Sequence, residues 1–357
     1  MHIHPSDPAD FSLDSYDYEL LPELISKQPQ NPRHNSKLLV YHYPSKSIIH
    51  SKVWELDQFL AEKDHLVLNE SKVVPSRLLG QRPTGGACEV LFLDYVPIEE
   101  FYYRVLLKSR HRKKQGDIFL FGDLTLEIVD GKDTIIEGEG IFLVRSSMPK
   151  VELQAYLNKV GLVPLPPYLK EASAENYQTT FAKHEGSAAA PTAGLHFTDE
   201  LFQKLKNKNF LTTKVTLHVG AGTFKPIETP DIRHHVMHQE KYFIDSLSRK
   251  ALLENRDHLV AVGTTSLRVL ESAWGSIINP EEVLEKIEGE TSIFLYPGKR
   301  IESIKGLMTN FHLPRTSLLA LVSALVGRKE LLRIYQIAKD QKYGFYSYGD
   351  AMLILLR

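Results

Sequence analysis

LVAVGTTSLRVLESAWGSI, residues 259–277, is the stretch whose reading decides the fold. Four apolar residues lead through Gly263 and three hydroxyl residues into a run whose apolar positions recur at helical spacing, so it reads as a buried strand turning directly into a helix. VTLHVGAGTF (215–224) is a second buried strand, this one running into a glycine turn. Outward from these units, residues 1–65 and 148–357 read as one α/β domain, either an open β/α barrel-like arrangement or a mixed sheet with helices. Residues 66–147 interrupt it with short alternating or β-branched runs: HLVLN, CEVLFLDYV, FYYRVLLKS, DIFLFG, LTLEIVDG and GIFLVRSS. Turn formers such as Thr84-Gly85-Gly86 and Asp130-Gly131 separate them, which predicts an inserted small antiparallel β-barrel domain. No internal repeat or low-complexity segment is present.

The chain has 357 residues and 43% apolar content, enough to bury a large core. A single cysteine, Cys88, supplies neither an intramolecular disulfide nor a thiolate metal cage and suits a reducing compartment. MHIHPSDPADF lacks the basic and apolar regions of a secretion signal, and the longest apolar run, SLLALVSALVG (317–327), is shorter than the roughly 20 residues of a membrane span. A cytoplasmic protein without a membrane partner is expected. The formal net charge is −1, so a polyanionic partner needs a local basic patch. KSRHRKK (108–114) is the densest, with Lys108, Arg110, Arg112, Lys113 and Lys114; Arg77 and Arg82 extend it. The alternative for such a run is a solubilising loop.

Several segments are equipped for chemistry. VGTTSLR (262–268) sets Thr264, Thr265 and Ser266 at a helix start, suited to a phosphate, carboxylate or ribose ligand, or to capping the helix. Gly220 and Gly222 of HVGAGTF would let a ligand approach the backbone beside His218, although the third glycine of a dinucleotide fingerprint is missing. GSAAAPTAGLHFT (186–198) presents His196 after a run poor in side chains, as a proton carrier or as a hydrogen-bonded structural histidine. RHHVMHQE (233–240) gathers His235, His238 and Glu240; without HEXXH or cysteine a metal is not expected, and hydrogen bonds to an anionic or ribose group suit it better. TNFHLPRTSLLALVSALVG (309–327) offers Asn310 and His312 ahead of a helix capped by Thr316 or Ser317, and FYSYGDAML (345–353) offers Tyr348 and Asp350.

Taken in order, eleven segments resemble one family over nearly the whole chain: YDYELLPELI, VVPSRLLG, TGGACEVL, PLPPYL, NYQTTFA, GSAAAPTAGLHFT, VTLHVGAGTFKP, HHVMHQE, VGTTSLRVLES, TNFHLPRTSLL and YSYGDAML. That family is the S-adenosylmethionine:tRNA ribosyltransferase-isomerase of queuosine biosynthesis. Three departures are visible: Glu70, Ser71 and Lys72 in NESKVVPSR, where the family usually has Asp, Thr and a basic residue; Asn176 for a common arginine; and Lys299 for an aromatic residue after YPG.

The resemblance implies transfer of the ribosyl part of S-adenosylmethionine onto the 7-aminomethyl-7-deazaguanine wobble base of a tRNA with a GUN anticodon. The ribose isomerises to give epoxyqueuosine, and adenine and methionine leave. S-adenosylmethionine is then a consumed substrate, no cofactor is permanently bound, and a monomer is expected. The sulfonium acidifies the hydrogens on the 5′ carbon, adenine leaves better protonated, and the attacking amine must lose a proton, so at least two proton carriers are required. On this reading His196 and His218 handle protons near the sulfonium, with His312 a further candidate, while Asp350 and Glu240 orient ribose hydroxyls or the amine. S-adenosylmethionine lies over Gly220, Ala221 and Gly222 with its polar ends on Thr264, Thr265, Ser266 and Arg268, and His235, His238, Asn310 and Tyr348 complete the binding set. Three rival readings fit less well. A methyltransferase loop would need the missing third glycine and an upstream acidic residue. A phosphoribosyltransferase loop would need two acidic residues where Val260 and Ala261 stand. A non-catalytic RNA-binding protein would leave the histidine- and glycine-rich segments without a purpose.

Overall fold

The computed structural model describes residues 7–93, 97, 99–110, 112–129, 141–169, 174–220, 227–282 and 285–357. The chain divides into two compact units: Met1–Ser71, Pro167–His184 and Ala190–Arg357 form the first, and Lys72–Pro166 with Glu185–Ala189 the second.

In chain order the strands are β1 (Lys37–His42), β2 (Ser47–Lys52), β3 (His65–Asn69), the short β4 (Ser71–Val73), β5 (Arg77–Gln81), β6 (Ala87–Phe92), β7 (Tyr102–Ser109), β8 (Ile118–Phe121), β9 (Leu124–Ile128) and β10 (Ile141–Ser146). After them come β11 (His184–Ser187), β12 (Leu211–Leu217), β13 (Glu240–Ile244), β14 (Leu259–Val262), β15 (Ile287–Thr291), β16 (Gly306–Asn310) and β17 (Ala351–Leu355). The helices are α1 (Lys150–Val160), α2 (Asp199–Asn207), α3 (Ser246–Glu254), α4 (Thr264–Ile277), α5 (Ser317–Val326) and α6 (Arg328–Asp340).

The first unit is built on a nine-stranded mixed sheet in the order β15-β13-β12-β3-β14-β16-β17-β1-β2. Strands β12, β3, β14 and β16 run parallel to one another, and β17 runs antiparallel to β16. Side chains alternate across the pleat. Leu38, Val40, Leu66, Leu68, Val260, Val262, Met308 and Leu353 enter one core with Leu201 and Leu205 of α2. Their neighbours Leu39, Tyr41, Val67, Ala261, Leu307 and Ile354 enter the other, under α3, α4, α5 and α6. Central strands buried on both faces read as unbroken apolar runs, and each fully buried Leu or Val contributes about 1.5–3 kcal/mol.

HLVLN, assigned above to the inserted domain, is β3, flanked by β12 and β14 in the large sheet. All five of its residues are buried; an apolar run this short fits a parallel-sheet strand and a barrel strand equally well. The helix α1, placed above in the α/β domain, belongs to the second unit, where Leu153 and Leu157 join the barrel core.

The second unit closes six antiparallel strands into a barrel, β10-β7-β6-β5-β8-β9. Its interior is filled by alternate residues such as Val90 and Phe92, Val105 and Leu107, and Leu124 and Leu126. Lys108 and Ser109 end β7, and Arg110, Arg112, Lys113 and Lys114 follow in the connection to β8; these strands are not neighbours in the barrel, so the connection is a crossover. Among the described residues no helix is long and apolar enough to cross a membrane.

Helix starts follow the local chemistry. Thr198 caps α2 by accepting from the Leu201 amide, and Thr316 caps α5 by accepting from the Leu319 amide. Asp245 does the same for α3 through Ser248. By contrast α4 is entered through Gly263 at φ 90° with no side-chain cap, as α6 is through Gly327 at φ 84°. That left-handed backbone suits glycine, and at Gly263 it turns β14 straight into the helix.

Two histidines are built into this core. His65 Nε2 lies 2.6 Å from the Thr213 hydroxyl, joining β3 to β12, and burial pushes its pKa down to about 4. His312 Nε2 lies 2.9 Å from the Thr309 hydroxyl, its backbone N–H donates to Tyr335 Oη, and burial pushes its pKa down to about 3. An unfolded imidazole takes up a proton near pH 6.5, so as pH falls from 6.5 toward 4 the unfolded state binds protons that the fold refuses, and stability is lost. Each step of one pH unit across this window costs about 1.4 kcal/mol for each such ring, so the loss is on the order of 3 kcal/mol per histidine. Thermal unfolding followed from pH 7 to pH 4 should show the midpoint dropping through this window. His65→Gln, whose amide still reaches Thr213, should show a shallower drop, and an equal drop would remove His65 from the account.

Candidate active site

Because β12, β3, β14 and β16 are parallel, their carboxyl ends emerge at one edge of the sheet. The start of β17 joins them there, with Asn310 opposite Ala351. Ligands of parallel α/β sheets collect at this edge. With neighbouring strands about 4.8 Å apart, the distance from β12 to β17 is roughly 19 Å. Glu70, His218, Gly220, Thr264, Thr265, Asn310 and Asp350 are therefore chain-end neighbours along a single rim.

One group forms around His196, at the end of the 3-10 turn Thr192–His196. Asn310 Nδ2 lies 3.2 Å from His196 Nε2 and 3.5 Å from the Asp350 carbonyl. An amide NH2 only donates, so His196 Nε2 accepts and the ring is neutral with its proton on Nδ1. Burial favours the same form, pushing the pKa down to about 4. Asn310 Oδ1 is buried without a partner.

The Asp350 carboxylate has a structural duty first: Oδ1 accepts the Lys37 amide and Oδ2 the Gly344 amide, each at 2.7 Å. Burial raises its pKa. The loop it closes is so tight that a Cβ on Gly349 would sit 2.4 Å from the Gly344 carbonyl oxygen. Tyr346 is held there at φ 72°, a strained conformation for a bulky residue, and stacks on Tyr168 with centroids 4.7 Å apart. Tyr168 Oη and Ser347 Oγ lie 2.7 Å apart. Tyr348 packs edge-on to Tyr177, and its hydroxyl is buried without a partner. Tyr348 and Asp350 line a cleft of about 900 Å³ with Lys37, Lys52 and Lys342.

A second group joins Gly220, Glu240 and Arg268. The Gly220 amide donates to Glu240 Oε1 at 2.8 Å, and Arg268 Nη1 pairs with Glu240 Oε2, both side chains being buried. Thr265 Oγ1 is buried without a partner, as are Arg268 Nε and Nη2. His218 donates its backbone N–H to the Lys241 carbonyl, its Nδ1 is buried without a partner, and burial pushes its pKa down to about 4.

Other assigned residues fall outside these groups. Ser266 Oγ donates to the Val262 carbonyl at the end of β14, at 2.8 Å. Burial pushes the His312 pKa down to about 3, the same direction as for His196 and His218, and its hydrogen bonds tie the loop to the core. His235 lies edge-on to Phe294, on the stretch leading into β13 with His238. Ala221 and Gly222 lie outside the described residues. Among the described residues no three His, Cys, Asp or Glu side chains form a group able to hold a metal.

Sequence reading missed several side chains at this rim. Arg33 donates to the Asn176 and Gln178 carbonyls at 2.9 Å each, and its own backbone hydrogen-bonds His196. Glu70 Oε1 lies 3.3 Å from His184 Nε2. Lys214 Nζ sits 4.0 and 4.3 Å from the Phe181 and Phe202 ring centres, and burial pulls its pKa down to about 8. Glu70, Tyr168 and Tyr177 stood in quoted segments without a role; Arg33 and Lys214 carried no local signal.

In the barrel unit, Arg77 pairs with Glu89 at 2.9 Å and Arg82 with Asp117 at 3.0 Å, and Lys108 approaches Glu89 at 3.6 Å. Arg110, Arg112 and Lys114 are exposed, and Lys113 lies over the Phe142 ring.

The family model described as queuosine biosynthesis protein matches residues 13–354. The S-adenosylmethionine:tRNA ribosyltransferase-isomerase of Thermosynechococcus vestitus is 41% identical over 357 residues, covering 98% of this chain and 97% of that protein. The protein of the same name from a Thermoanaerobacter strain is 39% identical, covering 95% of this chain and 98% of its own length. The crystal structure of an S-adenosylmethionine tRNA ribosyltransferase from Thermotoga maritima matches with a TM-score of 0.54 and 31% identity, over 96% of this chain and 100% of that one. The similarity runs end to end, through the same segments that meet at the sheet edge, and the chain belongs to the queuosine biosynthesis protein family.

Proposed function

We propose that this chain is an S-adenosylmethionine:tRNA ribosyltransferase-isomerase, acting in the cytoplasm as a monomer. It moves the ribosyl part of S-adenosylmethionine onto the aminomethyl group of 7-aminomethyl-7-deazaguanine at the wobble position of a GUN-anticodon tRNA. The observation that carries this reading is the convergence of His196, Asn310, His218, Gly220, Glu240, Arg268 and Thr265 on one sheet edge, several with buried polar atoms that find no partner among the described residues.

The chemistry asks for bases before acids. His196 and His218 are held neutral by burial, so each is ready to accept a proton at neutral pH. We assign them the proton acidified by the sulfonium and its delivery to departing adenine. Adenine leaves with the electrons of the glycosidic bond and methionine with those of the carbon–sulfur bond; the amine nitrogen bonds to C1′ and gives up a proton, the electron pair left by the 5′ proton closes the C1′–C5′ bond, and the ring oxygen passes from C1′ to C5′ to form the epoxide. Glu240 and Asp350 already hold backbone amides and act by fixing Gly220 and the Tyr346–Tyr348 loop against the substrate. S-adenosylmethionine is consumed, and the reaction draws on no resident metal or redox group.

For the tRNA, Arg110, Arg112, Lys113 and Lys114 are the phosphate contacts, with Lys108, Arg77 and Arg82 behind them. Incubation of the protein with labelled S-adenosylmethionine and tRNA bearing the aminomethyl-deazaguanine should release adenine and methionine in equal amounts and leave ribosyl label on the tRNA; S-adenosylhomocysteine as product would replace this reading with a methyltransferase. Alanine at Arg110, Arg112, Lys113 and Lys114 together should weaken tRNA binding and flatten its salt dependence, with S-adenosylmethionine affinity nearly unchanged. Filter binding across a salt series decides it, and equal binding at every salt concentration would make the run a solubilising loop.

A further inference from the structure

Arg268 is 3% exposed, and its guanidinium is only half used. Nη1 faces Glu240 Oε2, whereas Nε and Nη2 are buried with no hydrogen-bond partner among the described residues. These two nitrogens form one edge of the planar guanidinium, the edge whose parallel N–H groups match the two oxygens of a carboxylate. Buried donors in native proteins are nearly always paired, so an unpaired two-pronged edge asks for an acceptor of that shape. Thr265 precedes Arg268 by three residues on α4, hence on the same helix face, and its hydroxyl is likewise buried without a partner. The first turn of this fourteen-residue helix adds positive potential beside both. Glu240 meets the guanidinium at Nη1 through Oε2 and holds the Gly220 amide on Oε1, and it makes no hydrogen bond to Nε or Nη2. Among the described residues, a Cβ on Gly220 would meet nothing nearer than Glu240 Oε1 at 3.8 Å.

We infer that the Nε–Nη2 edge of Arg268, with the Thr265 hydroxyl, is the subsite for the α-carboxylate on the amino-acid end of S-adenosylmethionine. The inference rests on the function proposed above and sharpens it. Glu240 becomes the group that turns the guanidinium so that its free edge faces the ligand, and the amino-acid end is thereby fixed beside Gly220 while the ribose lies farther along the rim.

The experiment compares S-adenosylmethionine with its decarboxylated analogue, which keeps the sulfonium, the ribose and adenine and lacks only the carboxylate. Calorimetry on the full chain should give the parent a preference for S-adenosylmethionine of about 100-fold, the size expected for a charged two-point contact. Arg268→Gln should bind both ligands with nearly equal, weak affinity, and Arg268→Lys should keep part of the preference. If Arg268→Gln does not fold because Glu240 is left buried and unpaired, the double variant with Glu240→Gln removes both charges and should also show no preference. Equal affinity of the parent for the two ligands, or a preference that survives Arg268→Gln, overturns the assignment. Adenine release separates this from the broader reading. A parent enzyme that turns over both ligands equally well loses only the carboxylate subsite, whereas one that releases adenine from neither loses the proposed function and the subsite with it.

Discussion

Two-sided burial of the parallel strands β12, β3, β14 and β16 is the constraint on which the rest of the structure depends. Each strand's N–H and C=O groups are consumed by its neighbours and its side chains by two cores, so the middle of the sheet has no polar surface to offer. Chemistry is left to the strand ends. The parallel direction then places the ends of several distant segments on one rim, and this is why stretches more than 200 residues apart, around Glu70 and Asn310, become neighbours. Asn69 shows how tightly the rim is set: Oδ1 accepts the Ser71 and Leu217 amides at 3.0 Å each, while Nδ2 donates to the Leu217 carbonyl at 3.1 Å. One side chain fixes where β3 ends and how β12 leaves the sheet.

From that rim the charged side chains divide into those that hold the backbone and those with capacity to spare. Asp350 clamps Lys37 and Gly344, and Glu240 clamps Gly220 and Arg268. A carboxylate buried against backbone N–H groups stays ordered without a ligand, so the strained Tyr346 and the Gly349 crossing are kept in place rather than formed on binding. The remaining capacity belongs to Arg268, Thr265, Asn310, His218 and Tyr348, each with a buried polar atom that finds no partner among the described residues. Leaving a buried donor or acceptor unpaired costs about 1–3 kcal/mol each. A polar ligand that satisfied them would recover this cost on binding.

The unit from Leu259 to Ile277 was legible because its signal is local: four apolar residues, a glycine, and a helix-period run. The barrel strands from Arg77 to Ser146 were legible for the same reason, their alternation being interrupted by turn formers. HLVLN was not, because its partners β12 and β14 lie about 150 and 190 residues later in the sequence and nothing inside five apolar residues names them. Within GTTS the sequence placed the hydroxyls at a helix start but could not assign their directions. The phase of α4 turns Ser266 back onto Val262 and leaves Thr265 unpaired, a difference of one residue. Arg33 and Lys214 were invisible because their environments are made entirely by distant chain, the carbonyls of Asn176 and Gln178 in one case and the rings of Phe181 and Phe202 in the other.

Charge on the barrel is governed by pairing rather than by count. Counting residues makes Arg77, Arg82 and Lys108 look equal to the loop cations, yet Glu89 faces both Arg77 and Lys108, and Asp117 faces Arg82 across a side chain also laid on the Phe119 ring. Arg77 and Arg82 are partly cancelled before any polyanion arrives, and their pairs with acidic residues orient β5 against β6 and the β7–β8 connection. Arg110, Arg112 and Lys114 have no acidic side chain in an ion pair with them among the described residues, and they sit on a connection whose sequence carries no apolar residue to bury. For a chain of net charge −1, long-range attraction to a polyanion is weak, and association depends on charges that are both exposed and unshared. Among the described residues of the barrel unit, only the crossover from β7 to β8 gathers several of these within a few residues, so binding there would release counterions without disturbing the ion pairs that hold the barrel together.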